Sequence, residues 1–259
     1  MLEAILIAIW AFFCGIDKYD VALTIHRPII TGPVVGLIMG DLTLGITTGA
    51  FLELAWLGLV PNAGAQPPDV TLGTIAAIVF QVNSNVSAET ALGVGLPIAV
   101  LMQLLVVLFF TLTSFTMSKA DYYADRANTK GIDMLLIVTI CARGLLYAVI
   151  AFLTAASGQF LADFVTNYVP QEWLKGIGIG ARMVPAIGFA LLLKTMWSKE
   201  MAAIFFVGFV MTTYLNLPIM AVAILGAAAA CIYYFFSNPN GNGGSNNKKA
   251  QVEEFEDGI

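Results

Sequence analysis

The sequence has 259 residues, of which 59% are hydrophobic and only 11% charged, whereas a soluble domain carries about 25% charged residues. That balance excludes an ordinary soluble enzyme or nucleic-acid binder, and several apolar runs approach or exceed the roughly 20 residues needed to cross a bilayer. The fold class is therefore an all-α polytopic membrane protein; the formal charge of −5 says little about partners, because much of it sits in the terminal "NPNGNGGSNNKKAQVEEFEDGI".

The first run, "MLEAILIAIWAFFCG", has Glu3 as its only early charge and no small-x-small cleavage site, so it is expected to be a retained helix rather than a signal peptide. After the polar break "IDKYD", the apolar stretch 21–40 contains His26-Arg27-Pro28 and Gly32-Pro33. Proline there removes a hydrogen bond and clashes with the preceding turn, which predicts a broken or re-entrant segment. The stretch 42–60, with Glu53 as its single acid, ends at the polar, stiff decapeptide "PNAGAQPPDV". Residues 70–82 are too few to span alone at about 1.5 Å each and are expected to form a half-helix.

Residues 91–117 predict a long span, followed by a polar loop, "SKADYYADRANTKGID", whose Lys119, Arg126 and Lys130 favour the cytoplasmic side. Residues 134–156 span next, then come a mixed loop, "SGQFLADFVTNYVPQEW", and a second glycine-rich, proline-broken segment, "LKGIGIGARMVPAIGFALLLKTMW". Two further spans over 201–215 and 217–236 bring the expected total to about eight crossings. Residues 1–236 thus read as one transmembrane domain and 237–259 as a disordered acidic tail, too polar to bury a core. Interrupted helices in opposite halves, 32–49 and 176–188, point to a transport site near the bilayer midplane, with an inverted repeat as the corresponding expectation. Cys14, Cys141 and Cys231 are too far apart for a metal or redox motif and read as inert thiols.

Glu53 is flanked by at least one helical turn of apolar residues on each side. A carboxylate there must face a partner, a polar cavity or a proton; Arg27, Arg143 and Arg182 are candidate ion-pair partners. Trp56, three residues on, shares its helix face and either covers a sugar C–H face or sits at the membrane interface. Asn62, Gln66 and Asp69 offer the mixed donors and acceptors that suit a polyol, and Pro67-Pro68 stiffens the backbone just before Asp69. Asp69 equally suits an N-cap for the helix beginning at Val70. His26, the only histidine, has no nucleophile and base arranged beside it and reads first as a structural hydrogen-bonding residue. No metal-ligand spacing, nucleotide loop or serine triad is present, so no catalysis and no cofactor are expected.

The run "HRPIITGPVVGLIMGDLTLGITTGAFLELAWLGLVPNAGAQPPD", with "GIDKYD", "MSKAD" and "GIGIGARMVPAIGFALLL", resembles the IIC component of the mannose–fructose–sorbose family of the phosphoenolpyruvate-dependent sugar phosphotransferase system. The resemblance implies an elevator-type carrier in the bacterial cytoplasmic membrane, paired with a IID subunit in a trimer of IIC–IID heterodimers. It also implies phosphorylation of the imported sugar by a cytoplasmic IIB subunit charged by IIA. By position it assigns substrate binding to Glu53, Asn62, Gln66 and Asp69, with Trp56 and His26 as further candidates. The "QPPD" form and the "EFEDGI" ending look most like the N-acetylgalactosamine and galactosamine branch. From the residues alone, an ion-coupled secondary transporter or a membrane scaffold packed through glycine-rich faces remains open.

Overall fold

Prolines and short polar side chains decide where most helices begin. The computed structural model describes residues 1–58, 66–168 and 170–237, and among them every regular element is helical. Helix α1 (Leu2–Ile16) runs into a π-helical turn, Asp17–Val21, which ends at Ala22 in the left-handed region. Helix α2 (Pro28–Met39) starts on Pro28, whose missing N–H costs nothing at a first helical position, and stops at Gly40 with φ +88°. Asp41 caps α3 (Leu42–Trp56) by accepting from the Leu44 N–H at 2.9 Å, and Asp69 caps α4 (Val70–Ser84) in the same way. The Ser87 hydroxyl caps α5 (Ala88–Thr113). Helices α6 (Phe115–Asp125), α7 (Thr129–Tyr168), α8 (Gln171–Ala181), α9 (Val184–Met196), α10 (Lys199–Thr213) and α11 (Ile219–Ser237) follow.

Several expectations change. The polar segment "SKADYYADRANTKGID" is not a loop: it forms most of α6 and the start of α7, divided by a short turn at Ala127 (φ +47°). Its Ala, Lys, Asp, Arg and Tyr residues are adequate helix formers, and polarity alone does not break a helix. The expected mixed loop after residue 156 is also largely helical, because α7 continues to Tyr168 and yields only near Pro170, which disfavours helix on its N-terminal side. Three described stretches are long and apolar enough to cross a membrane, Ala88–Asp125, Thr129–Phe160 and Lys175–Thr195, against the eight or so expected. Much of the remaining apolar sequence is cut into shorter helices.

Both interrupted segments are pairs of short helices, but neither breaks at its internal proline. The first turns at Gly40, with Pro33 held inside α2. The second turns at Arg182 and Met183, with Pro185 in the first turn of α9, where proline is tolerated. Helices α2 and α3, 12 and 15 residues long, extend only about 18 and 22 Å at 1.5 Å per residue.

In lipid, helix association depends on close packing and polar bonds more than on apolar burial. Accordingly α2 and α3 meet through glycines: a Cβ on Gly36 would lie 2.6 Å from the Gly45 Cα, and one on Gly32 would lie 2.6 Å from the Gly49 Cα. Helix α4 is the central element, with every residue from Thr71 to Gln81 buried, as expected of a helix apolar on all sides. Ile7 of α1, Val35 of α2, Met102 of α5 and Tyr147 of α7 pack in the same core as its Leu72, Ile75 and Ile78. Its one buried amide is satisfied: Gln81 accepts from the Thr48 hydroxyl at 2.6 Å. Outward, α1 and α7 expose Ile9, Phe13, Leu145, Val149 and Leu153, the distribution that suits a lipid surround.

Contacts divide the chain after Met196. The second unit contains α10 and α11, joined through a turn with Asn216 in the left-handed region just before Pro218. Of the expected acidic tail, residues 238–259 lie outside the described residues, as do 59–65, which include Asn62. Cys14 is buried, and Cys141 and Cys231 are exposed.

Candidate functional site

The polar break "IDKYD" organises the site. Within the π-helical turn, a geometry that recurs at functional positions, four consecutive side chains each find a different partner. Asp17 bonds His26 Nδ1 at 2.7 Å and accepts from the backbone N–H groups of Leu23 and His26. Lys18 Nζ lies 2.6 Å from Asp69 Oδ2. The Tyr19 hydroxyl donates to the Gln66 side-chain oxygen at 3.5 Å, and Asp20 pairs with Arg143. The loop between this turn and α2 is fixed by its backbone: Thr31 donates to the Ile25 carbonyl at 3.0 Å and Thr71 to the His26 carbonyl at 3.3 Å.

Asp69 stands where α4 begins. One of its oxygens accepts the Leu72 N–H at 2.9 Å, the N-cap bond that satisfies an otherwise orphaned donor. The other receives both Lys18 and the Tyr147 hydroxyl. Its backbone N–H donates to the Ala99 carbonyl at 3.0 Å, and the Gln66 carbonyl accepts from the Gln103 amide. The "QPPD" segment is thereby clamped to α5, α7 and the π-helical turn. A buried ion pair is tolerable only when its remaining hydrogen-bonding capacity is met, and here Tyr147 and the cap meet it.

Around this clamp lies a cavity of about 510 Å³, lined by Lys18, Tyr19, His26, Arg27, Trp56, Gln66 and neighbouring residues. Its volume is in the range of small-molecule sites. A second, wholly apolar groove of about 460 Å³ between α1 and α7 has no group that could orient a polar solute. Among the described residues, no cluster of His, Cys, Asp and Glu could hold a metal ion.

The structure brings most of the expected residues to one place. Of the three arginines considered for Glu53, Arg27 is its partner, while Arg143 and Arg182 pair with Asp20 and Glu89; Glu53 also accepts the Ile29 N–H at 3.3 Å. Gln66, Trp56 and His26 line the cavity. Trp56 is buried rather than at an exposed interface, and its indole N–H has no hydrogen-bond partner. Asp69 caps α4 but does not line the cavity; it is 1% exposed, behind Lys18. Sequence reasoning missed Lys18, Tyr19 and Tyr147. Two acids, a base and a tyrosine in five residues between apolar runs were the available signal for the first two. Tyr147 lies one helical turn beyond Arg143, hence on the same face of α7.

The Arg27–Glu53 pair is the more exposed of these ion pairs, its side chains 42% and 15% accessible, so its stability contribution is about 0–1 kcal/mol. Glu53→Gln should therefore leave the melting temperature of the membrane complex nearly unchanged while lowering sugar uptake. Thermal unfolding and uptake measured on the same preparation check this, and a large loss of stability would make Glu53 a structural residue instead.

Long apolar helices, apolar outward faces and a polar cavity held by internal ion pairs define a multi-pass membrane carrier of a small polar solute. A family model described as the sorbose-specific IIC component of the phosphotransferase system matches residues 1–232. The chain belongs to this family of phosphotransferase-system sugar permeases, multi-pass proteins of the bacterial cytoplasmic membrane. It is similar to N-acetylgalactosamine permease IIC component 1 of Escherichia coli strain K12, 34% identical over 228 residues, which cover 88% of this chain and 85% of that one. The sorbose-specific EIIC component of Klebsiella pneumoniae is 31% identical over 83% of this chain and 82% of its own. The fold matches a mannose transporter, ManYZ, solved by cryo-EM in complex with microcin E492, with a TM-score of 0.57 and 24% identity over 93% of this chain and 98% of that one. Another solved membrane protein superposes with a TM-score of 0.83 at 25% identity, over 92% and 97%.

Proposed function

We propose that this chain is the sugar-translocating subunit of a phosphotransferase-system permease that imports N-acetylgalactosamine or galactosamine for phosphorylation by a partner IIB subunit. The observation that carries this reading is the cavity of about 510 Å³, where Trp56 supplies an indole wall and Lys18, Tyr19, Arg27 and Gln66 supply polar atoms. An aromatic face beside convergent polar groups suits the alternating C–H and hydroxyl surfaces of a hexose. The likeness to a relative named for N-acetylgalactosamine supports the choice of sugar.

In this reading Glu53 and Asp69 belong to the site through the bases they hold, His26 and Gln66 through the cavity wall, and Asn62 through the family resemblance. The site has no nucleophile with a base beside it, so phosphoryl transfer is assigned to IIB, itself charged by IIA. A IID subunit is the expected membrane partner, in a trimer of heterodimers. The short pairs α2–α3 and α8–α9 suit a carrier that moves its site as a body, as in an elevator with inverted repeats.

The energy source tests the proposal. Vesicles containing this chain, its membrane partner and the cytoplasmic components should accumulate sugar phosphate from phosphoenolpyruvate with an uncoupler present. Accumulation that collapses with the proton gradient would instead make the chain an ion-coupled secondary transporter.

A further inference from the structure

The charged side chains at the cavity stand in a consistent order, bases in front and acids behind. Lys18, His26 and Arg27 line the cavity, and each is paired with a carboxylate that does not: Asp69, Asp17 and Glu53. In every pair the base is the more accessible partner, 16% against 1%, 18% against 2% and 42% against 15%. The neighbouring segment 59–65, "LVPNAGA", contains no charged residue.

The surface a ligand meets is thus rich in donors. The Lys18 ammonium and the Arg27 guanidinium carry more N–H groups than their carboxylates can use. Trp56 adds an indole N–H that is buried and unpartnered, and a buried donor left unmatched costs about 1–3 kcal/mol until something accepts from it. The accepting groups on the wall are few: the Gln66 side-chain oxygen already receives Tyr19, and His26 gives Nδ1 to Asp17, leaving Nε2.

We propose that this cavity selects an uncharged N-acyl amino sugar over its free amine, with the Trp56 indole N–H donating to the acyl oxygen. An acetamido group adds a strong carbonyl acceptor to a wall of donors. A protonated amine adds donors and a positive charge, faces Lys18 and Arg27, and meets no carboxylate at the cavity surface. The hidden acids fix the bases and neutralise their charge, and they are positioning groups that leave the sugar to Lys18, Arg27 and Trp56. This inference rests on the sugar-carrier reading above and names its substrate class.

Calorimetric titration of the purified complex of this chain with its membrane partner, using N-acetylgalactosamine, galactosamine and galactose, tests it. N-acetylgalactosamine should bind about tenfold more tightly than galactose, the worth of about one hydrogen bond, and galactosamine more weakly than galactose. Galactosamine binding as tightly as N-acetylgalactosamine would overturn the selection while leaving sugar transport intact; binding of none of the three would overturn the carrier reading as well. Trp56→Phe keeps the ring and deletes the donor, and should reduce the N-acetylgalactosamine-to-galactose affinity ratio about tenfold. An unchanged ratio would remove Trp56 from the assignment. If that variant does not fold, the three-sugar comparison on the native complex still decides the selection.

Discussion

Asp69→Asn should abolish high-affinity sugar binding and destabilise the complex by about 3–5 kcal/mol, the cost of leaving a buried charge without its partner. Asparagine is nearly isosteric and remains a good N-cap, so the bond to the Leu72 N–H and the acceptor for Tyr147 both survive. What is lost is the negative charge that holds Lys18 Nζ at 2.6 Å. Asp69→Ala should cost about 1 kcal/mol more, because the cap goes too. The double variant Lys18→Met/Asp69→Asn separates structure from function. With neither charge buried, its melting temperature should recover toward that of the native complex, since replacing a whole buried pair is often neutral or stabilising, while sugar binding should stay lost. Thermal unfolding and calorimetry on the three variants provide the readout, and native affinity in Asp69→Asn would show that Lys18 needs no counter-charge to serve the cavity.

That network also marks how far the sequence could be read. Local rules located the pieces: proline at the start of α2, Asp69 as the cap of α4, and an intramembrane Glu53 that had to find a cation. They worked because capping, proline geometry and the cost of a lone charge act over a few residues or on one side chain. Pairings across the fold were less legible. Lys18 is 51 residues from Asp69 and Tyr147 is 78 residues from it, and no periodicity announces which faces of α1, α4 and α7 meet. Glu53 illustrates the intermediate case: the need for a partner was evident, but the choice among three arginines depended on α2 lying against α3. Helical boundaries failed where polarity was taken for irregular structure, as in α6. Hydrophilic residues with adequate propensity continue a helix unless proline or glycine stops it.

The α2–α3 contact is where the smallest chemical change should have a large structural effect. Gly32→Ala adds one methyl group at a point where an ideal Cβ would lie 2.6 Å from the Gly49 Cα and 2.7 Å from the Gly45 carbonyl oxygen. Both are backbone atoms, so no side-chain rotation relieves the clash and the helices must separate; overpacking of this kind typically costs about 1–3 kcal/mol. The separation also has a functional direction. Arg27 precedes α2 and Glu53 lies in the last turn of α3, so moving the helices apart stretches their ion pair and displaces a base from the cavity wall. Gly32→Ala should therefore lower both the melting temperature and sugar affinity. Gly40→Ala is the matching control: its Cβ would meet nothing within 4 Å, but its φ of +88° makes alanine strained. That variant should lose stability through backbone strain at the closed end of the pair and retain nearly native sugar affinity. Equal loss of affinity in both variants would indicate that general destabilisation, rather than the spacing of α2 and α3, sets the geometry of the wall.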